Sequence, residues 1–149
     1  MPKVLEERQG YIEAVLHNIK CVSEEFSQKS VSRKQFHNAM QQRIINLANS
    51  FNLKGLSEYR VDNIRADGRA GLIDVVWLTD SRPVTVFEID SRIRIKSIKK
   101  LLAVKVPFRF LVYYGPKGLT SLIQKYNPEN LIQVIPTARY TLQTQRKPP

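Results

Sequence analysis

Three acidic residues stand where acids are costly. Asp74 lies inside the apolar run LIDVVWL, and Glu88 and Asp90 lie in VTVFEID. An ionised carboxylate among core-forming neighbours is unfavourable unless it is paired or holds a metal. Residues two apart on a strand share a face, so Glu88 and Asp90 point the same way. If the two runs pair through the TDSRP turn, Asp74 falls near Glu88 and three carboxylates meet. Like charges that close repel, and a divalent cation held by Asp74, Glu88 and Asp90 is the natural compensator. Hard oxygen ligands favour Mg²⁺ or Mn²⁺. The plainer reading is that the acids pair with Arg60, Arg65 or Arg69, which lie nearby in the chain.

The remaining chain supplies elements to position these acids. Apolar residues at helical spacing predict a helix over 4–26 and a second over about 31–51, with Ser32 as N-cap. YRVDNI, LIDVVWL and VTVFEID read as three strands joined by the turns RADGRAG and TDSRP, an antiparallel meander. A helix over about 94–104 follows. PFRFLVYYG then reads as a strand buried on both faces, and a short helix over 117–125 precedes the strand LIQVIP. The polar end, 142–149, is expected to fray. The 149 residues fit one domain, with 1–28 as a helical appendage and 31–135 as the core.

Charge is unevenly placed. Residues 1–90 carry 12 Lys+Arg against 12 Asp+Glu, whereas 91–149 carry 12 against the single acid Glu129, so the net charge of +11 arises entirely after Asp90. The basic residues are interleaved with core-forming segments, which favours a nucleic-acid-binding face over a solubilising tail. Arg92, Arg94, Lys96, Lys99, Lys100 and Lys105 are the expected phosphate contacts; a merely solvated helix face is the alternative. Arg109 sits in the buried-looking strand and is expected to partner an acid. No apolar run reaches the roughly 18 residues of a membrane span. The N-terminus lacks the apolar stretch of a secretion signal, and Cys21 is the one cysteine. These features are read as cytoplasmic, with no membrane partner. Neither His17 nor His37 has a Cys or His at ligand spacing, which argues against zinc. His37 could contact DNA, though a half-buried structural histidine is the simpler reading. Trp77 is read as core. Tyr113 and Tyr114 are read as packing residues, with base stacking as the alternative.

Asp on the second strand of a meander, Glu on the third in VFEID, and a basic helix next together resemble the PD-(D/E)xK, or restriction-endonuclease-like, nuclease superfamily. The resemblance covers about residues 31–135. It implies an α/β fold with an αβββαβ core, a mixed central sheet flanked by helices, and here an extra N-terminal helix. It also implies that Asp74 and Glu88 are the family's two acids and that the chain is a Mg-dependent endodeoxyribonuclease. The family usually places Lys two residues after its second acid, and here that position is Asp90. Asp90 could serve as a ligand or base instead, or a Lys of the next helix could reach back. Helical phase favours Lys99, with Lys96 second, Lys96 and Lys100 being expected to point further out. Cutting both strands of a duplex would call for a homodimer. The alternatives are a nuclease-fold module that only binds nucleic acid, and a basic subunit that meets an acidic protein.

Overall fold

A computed structural model describes residues 2–26, 31–62, 70–115, 125, 127 and 129–136. The chain is α/β, with a five-stranded mixed sheet between helical layers. Helices α1 (Pro2–Phe26) and α2 (Arg33–Leu47) come first. A 3₁₀ turn over Ala48–Phe51 then ends on Asn52, whose φ of 59° is left-handed. Strands β1 (Lys54–Val61), β2 (Gly71–Thr79) and β3 (Arg82–Asp90) form the antiparallel meander. Helix α3 (Ile95–Ala103) crosses over to β4 (Phe108–Tyr113), which runs parallel to β3, and β5 (Gln133–Pro136) runs parallel to β4. The spatial strand order equals the chain order.

Local chemistry accounts for several boundaries. Ser32 Oγ accepts from the Gln35 amide at 3.1 Å while the Gln35 side chain accepts from the Ser32 amide at 2.8 Å, a complete capping box for α2. The β2–β3 hairpin turns on Asp80 and Ser81, whose φ values of 48° and 66° are those of a two-residue primed turn. Strand β1 starts at Lys54, five residues ahead of the expected YRVDNI. The expected turn at 65–71 falls mostly outside the described residues, as do the 117–125 helix (apart from Lys125, which is helical) and the C-terminal tail.

The sheet buries both faces. Val75, Trp77, Phe87, Ile89, Phe108, Phe110 and Val112 pack under α1 and α2, against Tyr11, Val15, Ile19, Phe36, Met40 and Ile44. Val76, Val86, Leu111 and Tyr113 pack under α3, against Ile98 and Leu101. Full burial of each large apolar side chain contributes roughly 1.5–3 kcal/mol. Trp77 adds a hydrogen bond from Nε1 to the Ile44 carbonyl at 2.9 Å, tying β2 to α2. Helix α1 is therefore a layer of the core and not an appendage to it, because Tyr11, Val15, Ile19 and Val22 are all buried within the cluster it shares with α2 and the sheet. Among the described residues no helix is long and apolar enough to cross a membrane.

Candidate active site

Strands β2 and β3 part company where the acids stand. They pair from Thr79↔Arg82 to Val75↔Phe87 and no further. Beyond that point β2 stays with β1, through Tyr59↔Ile73 to Val61↔Gly71, and β3 stays with β4, through Glu88↔Leu111 to Asp90↔Tyr113. A wedge opens in the sheet, and backbone groups at its apex lose their ladder partners. The two carboxylates replace them. Asp74 N–H donates to Glu88 Oε2 at 2.8 Å, and Ile89 N–H donates to Asp74 Oδ2 at 2.7 Å. Gln41 on α2 donates to the Asp74 carbonyl at 2.8 Å.

The face alternation of β2 also breaks here. Val75 and Trp77 lie on the α1–α2 side, but Ile73, two residues earlier, lies on the α3 side. Glu58, the residue of β1 across from Asp74, has a left-handed φ of 54°. Such a conformation is disfavoured for a residue with a Cβ and persists because the surrounding sheet over-determines it. This twist lets the Asp74 carboxylate face α2 and the open end of β3.

Each acid has a distinct environment. Glu88 is 2% exposed, and its Oε1 lies 2.5 Å from Lys100 Nζ, which also donates to the Leu72 carbonyl at 2.8 Å. Burial, and then the Asp74 charge, push the Glu88 carboxyl up to about 7, with Lys100 opposing. Asp90 accepts from Ser97 Oγ at 2.5 Å, and burial raises its carboxyl. His37 Nε2 lies 3.5 Å from Asp74 Oδ2, and that contact raises the imidazole against the opposing effect of burial.

These groups line a cleft of about 530 Å³ at the end of β3, between the first turns of α2 and α3. Arg33, Lys34 and His37 form one wall; Arg92, Arg94, Lys96 and Lys100 form the other. The lysine that reaches the acids is thus Lys100, a correction to the helical phase expected from the sequence: Lys99 is exposed and lies outside the cleft. Lys96 lines the cleft but makes no ion pair among the described residues. Lys105 is exposed and also outside it. Among the described residues Arg109 partners no acid; it donates to the Leu101 and Val104 carbonyls at 2.9 and 2.7 Å, satisfying the C-terminal end of α3. Arg60 pairs with Asp62 on the surface and leaves Asp74 and Glu88 alone, while Arg65 and Arg69 lie outside the described residues.

Arg33, Lys34, His37, Gln41 and Ser97 went unassigned or under-weighted in the sequence. One signal for the first two was available: Ser32 starts α2, so Arg33 and Lys34 occupy its first turn, where the helix dipole disfavours cations. Cations held in such a place are candidates for binding an anion.

The donor set is one of hard oxygens. Among the described residues no three His, Cys, Asp or Glu side chains are gathered to hold a metal ion, and Asp90 gives an oxygen to Ser97 instead of joining the pair. Asp74 and Glu88 do converge, and the second oxygen of Asp74 has no hydrogen-bond partner among the described residues. Mg²⁺ commonly takes one or two carboxylates and completes its octahedron with water and substrate phosphate, so this pair fits it. No protein-family model, curated protein or solved structure matches the chain.

Proposed function

We propose that the chain is a metal-dependent nuclease of the PD-(D/E)xK type that hydrolyses phosphodiester bonds in DNA. The observation that carries this reading is the juxtaposition of Asp74, Glu88 and Lys100 at the parting of β2 and β3, beneath a basic cleft. The element order from α2 to β4 is the αβββαβ order that the superfamily resemblance calls for. Lys100, reaching from α3, supplies the ammonium that the motif would otherwise draw from the position of Asp90.

In this reading Asp74 and Glu88 hold Mg²⁺ or Mn²⁺, which when bound polarises the scissile phosphate and acidifies a water. Lys100 releases its hold on Glu88 in part and turns its charge to the oxygens on which negative charge gathers. Asp90, fixed by Ser97, orients or receives a proton from the attacking water. The cationic walls overcome the repulsion between three acids and a polyanionic substrate. A nicking assay on supercoiled plasmid tests the proposal. Activity that needs Mn²⁺ or Mg²⁺ and disappears in Asp74→Ala and Glu88→Ala is expected; full activity in either variant refutes it.

One observation favours a second reading, in which the module binds DNA without cutting it. Both Glu88 oxygens are already engaged, by Lys100 and the Asp74 amide. Salt-sensitive DNA binding with no response of the melting temperature to Mn²⁺ would select that reading.

A further inference from the structure

Seven basic or imidazole side chains line the cleft, and they are divided between two walls with the acids between them. Only the α3 side was foreseen as a phosphate-binding surface. Lys100 is committed to Glu88, but Lys34, Arg92, Arg94 and Lys96 have no ion pair among the described residues. Arg33 and Lys34 are exposed at the cleft mouth. Neither α2 nor α3 has an acid in its first turn, so each helix concentrates cations where its own dipole repels them. That placement is unfavourable for the helix dipoles, whereas an anion laid across the cleft would be attracted by both helix ends.

We infer that Arg33 and Lys34 are a second phosphate-binding element, and that a nucleic-acid backbone crosses the cleft from α2 to α3. The phosphate on one side of the carboxylate pair rests on Arg33 and Lys34. That on the other side rests on Arg92, Arg94 and Lys96. The strand is thereby held on both flanks of the phosphate over Asp74 and Glu88, which fixes a reacting group better than one flank can. This inference rests on the proposed nuclease reading for its direction across the site, but it concerns binding and can be read without cleavage.

The test is binding of a fluorescent oligonucleotide in EDTA, as a function of salt, by wild type, Arg33→Ala/Lys34→Ala and Arg94→Ala/Lys96→Ala. Each contacted phosphate contributes about 0.9 to the slope of log K against log salt for duplex and about 0.7 for a single strand. Each double variant is therefore expected to lower the slope by roughly 1.4–1.8, with cooperative unfolding retained because the four side chains are exposed. An unaltered slope and affinity in Arg33→Ala/Lys34→Ala, beside a loss in Arg94→Ala/Lys96→Ala, overturns the inference. So does equal competition by polyglutamate, which would mark the walls as a surface for an acidic protein. A wild type that binds with the expected slopes but does not cleave with Mn²⁺ removes the nuclease reading and leaves the two-walled grip standing.

Discussion

Lys100 Nζ sits 2.5 Å from Glu88 Oε1, so the cation that meets the buried acid comes from the last turn of α3 and not from the strand that carries the acid. This pair is nearly closed to solvent, its side chains being 11% and 2% exposed. Lys100→Met should lower metal-dependent nicking by about 10²–10³-fold, the usual effect of losing one donor aimed at developing charge. Lys99→Ala, at the neighbouring exposed position, should keep wild-type cleavage and change stability by no more than about 0.5 kcal/mol. Nicking kinetics and urea unfolding distinguish the two; equal losses would remove Lys100 from the site.

The Glu88 carboxyl, raised from 4.5 to about 7, makes a signed prediction. The folded protein binds this proton more tightly than the unfolded chain does, so the neutral acid favours folding. That contribution is present below 4.5 and is lost as pH rises through about 7. Stability of wild type relative to Glu88→Gln should therefore fall across this window. Divalent metal must displace the same proton. Stabilisation by Mn²⁺ should grow as pH rises through about 7 and be accompanied by proton release, measured with a pH indicator. Metal stabilisation that is flat in pH would place the ion elsewhere.

His37 reports on Asp74 independently of metal. Its imidazole is raised first by the Asp74 contact and lowered by burial. Protonated His37 thus contributes stability that is complete below the ordinary histidine range and is lost as pH rises through its raised value. Asp74→Ala removes the first cause and leaves the second, so the His37 titration followed by NMR should move down. An unmoved titration would mean that the 3.5 Å contact is not formed in solution.

How much of this was legible in the chain depends on the physics each residue obeys. Acids inside apolar strands announce themselves, and Asp74 and Glu88 were found because burial of charge is costly. The apolar residues of α3 do not by themselves set its phase. Ile95 is 39% exposed, and the buried face carries Ser97 with Ile98 and Leu101. Ser97 is buried because Asp90 accepts its hydroxyl, a tertiary fact, and rotating the face onto Ser97 brings Lys100 inward. Strand alternation could not foresee the switch of faces at Asp74, since it assumes an unbroken pleat. The onset of β1 was missed for a related reason: as the sheet's edge strand it buries no residue fully, so its apolar signal is weak.

Strands β3 and β4 run close together beside the site, and Gly115 follows β4 at their ends. A Cβ on Gly115 would stand 2.0 Å from the Ser91 carbonyl oxygen, a backbone atom that cannot step aside cheaply. The residue before it, Tyr114, lines the cleft and donates its amide to the Asp90 carbonyl at 3.0 Å. Gly115→Ala must therefore spread the ends of β3 and β4 and carry Asp90 and Tyr114 with them, at a cost of about 1–3 kcal/mol. A Cβ on Gly10, within α1, meets nothing within 4 Å. Gly10→Ala should stabilise the protein by roughly 0.5–1 kcal/mol, the difference in helix propensity. Urea unfolding checks both signs. Nicking at a temperature where both variants are folded then separates a stability effect from a site effect: Gly115→Ala should lose cleavage and Gly10→Ala should not. Wild-type cleavage by folded Gly115→Ala would show that the end of β4 does not help to position Asp90.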